Sequence, residues 1–134
     1  DAASSRTDPA EAARLARETC VDAMAIAVGN VHLQQDHGYG IDMAAVAAIA
    51  AATAGKVPLV IHGGSGVPPE VRAHLARTTP ICKFNLGTEL RQVFGHALRK
   101  ALADHPQEFD RLKLLAATEA PMLDRARTIL RDLG

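Results

Sequence analysis

Residues 57–66 read Val-Pro-Leu-Val-Ile-His-Gly-Gly-Ser-Gly, and this stretch decides the fold. Pro58 marks the mouth of a strand, and Val57 to Ile61 is short, apolar and β-branched, as suits a strand of a parallel sheet buried on both faces. The strand runs directly into His62-Gly63-Gly64-Ser65-Gly66, a glycine-rich loop at its C-terminal end. Glycines let backbone amides approach an anion closely, and Ser65 adds a hydroxyl donor. Pro68-Pro69-Glu70 then opens a helix towards Arg77, because proline fits the first helical turn.

The same alternation extends to both sides. Upstream, Asp8-Pro9-Ala10-Glu11 is a helix start with Asp8 as the cap, and the helix should run to about Glu18. Val21 to Val28 (VDAMAIAV) is almost continuously apolar and predicts another doubly buried strand, ended by Gly29. After a loop rich in Gln, His and Gly, Asp42 can cap an alanine-rich helix that runs to about Ala54 and stops at Gly55. Downstream, Ile81-Cys82-Lys83-Phe84-Asn85 predicts a third strand, and Gly87-Thr88 turns into a helix. In that helix Leu90, Val93, Phe94, Ala97, Leu98, Ala101 and Leu102 form one apolar stripe. The last stretch is helical too, with Leu112, Leu115, Ala126, Ile129 and Leu130 expected to be buried and Pro121 expected to kink or divide it.

Repeated β-α units imply a parallel sheet with right-handed crossovers. Three strands are too few to close a barrel, so the 134 residues read as one structural unit of a larger α/β fold. With 48% hydrophobic and 22% charged residues the chain is expected to be globular rather than disordered. Fifteen basic side chains balance fifteen acidic ones, and the absence of a basic block or aromatic ladder argues against nucleic acid as a partner. No apolar run reaches membrane-spanning length and residues 1–6 lack a signal-peptide pattern, so the expectation is a cytoplasmic protein with no membrane partner. Cys20 and Cys82 lack a CxxC spacing and are expected to be small buried residues.

The polar residues converge at one end of the proposed sheet. Three successive strands lead to His32, to residues 62–66 and to Asn85-Leu86-Gly87-Thr88, and in parallel α/β folds such ends face the ligand. A helix beginning at Thr88 would turn its amino end towards the same small phosphate. His32 and His62 could meet a metal ion as two neutral imidazoles, although a histidine at a strand end also serves as a hydrogen-bonded structural residue. The glycine loop can likewise be a plain strand-helix turn. His37 is expected to be solvated, His74, His96 and His105 have no evident chemical partner, and Lys83 is expected to reach solvent.

Residues 22–32 (DAMAIAVGNVH), 57–66 (VPLVIHGGSG) and 82–91 (CKFNLGTELR) resemble, in order and spacing, the consecutive C-terminal barrel strands of class II fructose- or tagatose-bisphosphate aldolases. The resemblance runs from about Thr7 to the C-terminus. It implies that residues 1–134 are the C-terminal part, about three β-α units, of a single TIM (β/α)8 barrel whose N-terminal part lies outside this chain. By the same likeness His32 and His62 match two of three zinc-ligand histidines, and Asn85 matches the asparagine that contacts the enediolate. Gly63, Gly64, Ser65, Gly87 and Thr88 fall at or next to positions that hold the substrate phosphate. The implied reaction is reversible aldol cleavage of a ketose 1,6-bisphosphate to dihydroxyacetone phosphate and an aldehyde, with Zn2+ as the electrophile. The third zinc ligand and the carboxylate base belong to family segments upstream of Asp1, so residues 1–134 alone are expected to be inactive. A monovalent cation is a further cofactor consistent with the family, and the complete protein is expected to be a homo-oligomer, a dimer or tetramer.

The chain departs from the family pattern in two places. Leu33-Gln34-Gln35 follows His32 where the family usually has a glycine and then a nearby phosphate-binding lysine, and no lysine occurs before Lys56. Gly87 stands where many fructose-type enzymes carry Asp, so fructose and tagatose specificity are not distinguished. The alternatives to an aldolase segment are a non-catalytic phosphosugar-binding module and a truncated remnant.

Overall fold

A computed structural model describes residues 6–29 and 40–134. They divide into two compact units, one ending at Leu86 and one running from Gly87 to Gly134.

In the first unit helices alternate with strands: α1 (Pro9–Thr19), β1 (Met24–Ile26), α2 (Met43–Ala52), β2 (Leu59–Ile61), α3 (Pro69–Thr78) and β3 (Ile81–Phe84). The strands form one sheet in the order β1-β2-β3 with both pairings parallel, as the helical crossovers require. Met24 pairs with Leu59 and Ile26 with Ile61. Between β2 and β3 the register shifts: Leu59 faces Ile81, but Val60 faces Lys83 and Ile61 faces Phe84. Over this stretch β3 therefore carries one residue more than β2, and that residue is Cys82.

The core of this unit is built on β2, all three of whose residues are buried. Leu59, Ile61, Ile49, Val28 and Leu75 are fully enclosed, each contributing about 1.5–3 kcal/mol of transfer free energy. Local chemistry sets the helix ends. The Asp8 carboxylate accepts from the amides of Ala10 and Glu11, both at 2.9 Å, and Asp42 accepts from Ala45 at 2.9 Å. Helix α2 ends on Ala54 and Gly55, both with positive φ, and the Gly55 amide closes back on the Ala50 carbonyl at 3.0 Å.

Several expectations are corrected here. Only Met24–Ile26 of the long apolar run 21–28 is strand, and Ala25 is exposed, because β1 is an edge strand of this sheet. Cys20 and Cys82 are both exposed. Cys20 adopts the left-handed conformation that caps α1, and Cys82 is the extra residue at the register shift, so neither packs into the core.

The second unit contains α4 (Thr88–Asp104), α5 (Arg111–Ala116) and α6 (Glu119–Leu133). Helix α6 packs along α4, with Ala101 and Ile129 buried and Arg125 paired with Glu89. The C-terminal stretch is divided at Ala117–Thr118, and Pro121 lies in the first turn of α6, where its missing N–H costs no intrahelical bond. Leu112, Leu115 and Leu130, expected to be buried, are 67%, 41% and 67% exposed. Periodicity identifies an apolar face but not which of its members find a partner, and with one short and two long helices only the α4–α6 seam is well covered.

Candidate active site

The C-terminal rim of the sheet is assembled by backbone hydrogen bonds before any side chain takes part. The Asn85 amide donates to the Ile61 carbonyl at 2.9 Å, which carries the parallel ladder one step past both strands and sets His62 beside Asn85. The Gly64 amide then donates to the Asn85 carbonyl at 3.1 Å, folding the glycine loop over the end of β3.

The loop itself is a short 3-10 turn over Gly64–Gly66, closed by Gly66 donating to Gly63 and Val67 to Gly64, both at 3.1 Å. Two of its positions favour glycine. Gly63 has φ 64° and ψ 26°, a left-handed conformation that costs other residues strain. At Gly64 a Cβ would lie 3.0 Å from Leu86 Cδ2, 3.2 Å from Phe84 Cβ and 3.3 Å from the Asn85 carbonyl oxygen, so a side chain there would fit only if these neighbours gave way slightly. Gly64 is buried while Gly63, Ser65 and Gly66 are half-buried, leaving the outer part of the loop accessible to a ligand.

His62 is exposed at this rim. The Asn85 side-chain amide lies 3.4 Å from its Nδ1 and 3.5 Å from its Nε2. Both distances are at the long end of hydrogen-bond range, and which nitrogen accepts depends on the tautomer of the ring. Asn85 therefore lies against the His62 ring at the end of the sheet.

Arg72, to which the sequence reading gave no role, is the largest fully buried side chain in the described residues, at 1% exposure. It projects from α3 under the loop, and its Nη1 donates to the Gly64 carbonyl at 3.3 Å. The signal for it was its place on the buried helical face it shares with Leu75, three residues on. A charged residue in an apolar stripe next to a glycine loop is a departure from pattern that sequence can reveal.

The other predicted residues are distributed as follows. His32 and His37 lie outside the described residues; β1, the strand that precedes them, ends at Ile26 on the same rim as His62 and Asn85, and Gly29 follows with a φ of 92°. Gly87 and Thr88 begin the second unit, Gly87 preceding α4 with no side chain to cap the first-turn amides. His74, His96 and His105 are exposed, as is Lys83. Among the described residues no three His, Cys, Asp or Glu side chains come together as a metal site. A cleft of about 370 Å³ beside β1, lined by Arg6, Asp8, Glu11 and Arg14 among others, shares no residue with this rim.

All 134 residues match the family described as fructose-bisphosphate aldolase, class II. The chain belongs to the class II fructose-bisphosphate aldolase family. The solved structure of the YdjI aldolase from Escherichia coli K12 is similar to it, with 27% identity, a TM-score of 0.69 and coverage of 96% of this chain and 44% of that one. The fructose-bisphosphate aldolase from Campylobacter jejuni has a TM-score of 0.70 and 19% identity, over 96% of this chain and 45% of that one, and so shares the fold. The chain spans less than half the length of either structure. Its parallel strands and alternating helices thus correspond to part of an aldolase TIM barrel, as expected.

Proposed function

We propose that this class II aldolase-family chain supplies one side of the active site of a metal-dependent aldolase that cleaves a ketose 1,6-bisphosphate to dihydroxyacetone phosphate and an aldehyde. The observation that carries the reading is the meeting of His62, the 63–66 loop and Asn85 at one rim of parallel strands, in a chain of this family. In this reading residues 1–134 are the C-terminal part of one barrel domain, with the remaining catalytic groups contributed by family segments beyond these residues.

His62 suits a zinc ligand because it is exposed at the strand end and has the Asn85 amide beside its ring to orient it. His32 is proposed as the second ligand on the resemblance alone, and a third is needed from elsewhere. Zinc, when bound, polarises the substrate ketone. The chain's own contribution is positioning. Asn85, fixed through its backbone to Ile61 and Gly64, offers an amide donor to the negative charge that develops on the substrate during proton removal. The 63–66 loop holds the phosphate with the Ser65 hydroxyl and with backbone amides other than those of Gly64 and Gly66, which donate to Asn85 and Gly63. For Gly87 and Thr88 the phosphate role rests on the resemblance alone. A cytoplasmic homo-oligomer, dimer or tetramer, and an accessory monovalent cation belong to the same proposal; among the described residues no helix is long and apolar enough to cross a membrane.

The test is metal analysis and a cleavage assay on the full-length protein and its His62→Ala variant. The variant should lose most of its zinc and its turnover. Unchanged zinc and turnover would show that the site has been assigned to the wrong residue.

A further inference from the structure

We propose that Arg72 is a positioning residue for the phosphate loop, acting through the Gly64 carbonyl, so that its removal weakens binding of phosphate groups more than it slows the chemistry. The inference rests on the reading of residues 63–66 as the phosphate site and adds to it a residue that touches neither substrate nor metal.

The geometry is specific. Gly64 is gripped on all sides: its amide is used by Asn85, its Cα is enclosed by Leu86 and Phe84, and its carbonyl accepts from both Val67 and Arg72. The bond from Val67 closes the short turn, whereas the bond from Arg72 ties the turn to α3, eight residues on. A 3-10 turn has poor hydrogen-bond geometry and little intrinsic persistence, and Gly63 and Gly66 on either side add freedom. An amide cradle binds an anion well only when its donors are already aimed. The guanidinium supplies that rigidity from beneath, while Ser65 and Gly63 stay accessible above it.

Burial sharpens the argument. A guanidinium at 1% exposure costs several kcal/mol to desolvate unless it is well bonded, and an apolar side chain would fill the same space on α3 without that cost. A core position in a helix that needed only packing would not call for arginine. The planar fork of donors reaches a carbonyl in fixed geometry, which a flexible ammonium does less well.

The experiment measures binding of inorganic phosphate by calorimetry, and KM and kcat for a ketose bisphosphate, on the full-length protein and on its Arg72→Met and Arg72→Lys variants. Arg72→Met should weaken phosphate binding by about tenfold or more, the size expected for losing a hydrogen bond from a charged donor. KM for the bisphosphate should rise in parallel while kcat changes by no more than about twofold. Arg72→Lys keeps a cation and one donor and should recover part of the loss, which a purely packing role would not produce. If Arg72→Met does not fold, Arg72→Lys decides the matter, with a loss of about threefold to fivefold in phosphate affinity expected. A folded variant that binds phosphate as tightly as the parent overturns the positioning role and leaves the phosphate loop intact. A parent protein that binds no phosphate overturns both.

Discussion

At Gly64 a single methyl group is the smallest perturbation that should be felt through the whole rim. Gly64→Ala would drive a Cβ into Leu86, Phe84 and the Asn85 carbonyl, costing about 1–3 kcal/mol of stability by overpacking. Thermal unfolding measures it, and a melting temperature equal to the parent's would show that the loop has slack. Asn85→Ala should lower kcat and leave KM for the bisphosphate nearly unchanged, since the amide meets charge that appears only as the reaction proceeds; an effect confined to KM would move Asn85 into substrate binding. The residue types of the rim were legible in the sequence: His62, the glycines and Asn85 announce themselves by their position at strand ends. The contact of the Asn85 side chain with His62 was not, because it depends on which residue of β3 stands beside which residue of β2. Nor was the clamp by Arg72, since a helix pattern records that a position faces inward and not what it reaches.

Single residues in unfavourable conformations mark the ends of two helices. Cys20 after α1 and Ala54 after α2 both have positive φ, at 51° and 53°, a region that glycine enters without penalty. Cys20→Gly and Ala54→Gly should each stabilise the chain by about 0.5–1 kcal/mol, read from denaturant midpoints; a loss of stability at either position would mean that the side chain packs better than its exposure implies. Between α4 and α5, Glu108 accepts from the Asp110 and Phe109 amides and pairs with Lys113 at 3.1 Å. The Asp110 amide first, and then Lys113, hold its carboxyl below the ordinary glutamate range. A lowered folded value means that the contribution is present at neutral pH and fades as the pH falls through that value. Carboxyl NMR titration checks it, and an unshifted Glu108 would contradict the loop geometry. The sequence placed these helices and their caps well, since Asp8, Asp42 and the proline pairs act locally. It overestimated β1, where continuous apolar character was read as strand length, and it overestimated burial of Leu112, Leu115 and Leu130, which depends on partners far along the chain.

The sheet of the first unit has β1 and β3 at its edges, and open edges with unpaired backbone groups promote association between copies. Residues 1–134 made alone should self-associate in dilute solution and hold zinc weakly, whereas the full-length protein should hold about one zinc per chain. Sedimentation and metal analysis on both settle the point. A monodisperse 134-residue monomer with a sharp unfolding transition and tight zinc would show that the chain needs nothing more. The architecture was legible at this scale, because alternating apolar strands and amphipathic helices admit few arrangements. The division at Leu86–Gly87 was not, since no linker composition marks it.

The one surplus residue of β3 has a consequence for how this chain tolerates changes in length. Were the two strands matched one for one from Leu59 and Ile81, Phe84 would stand next to His62 and the asparagine would fall a step beyond it. The offset at Cys82 absorbs that step, so Asn85 arrives opposite the histidine. A deletion of Cys82 itself is therefore nearly silent, because every later partner keeps its place. Deleting Lys83 would also remove the surplus and keep Asn85 opposite His62, with Cys82 beside Val60. Deleting Phe84 would keep that register but set Lys83 beside Ile61 in place of a phenylalanine packed on the core, and an insertion before Asn85 would displace the asparagine. Single deletions at Cys82 or Lys83 should accordingly be accepted, while loss of Phe84 or an added residue before Asn85 should be rejected.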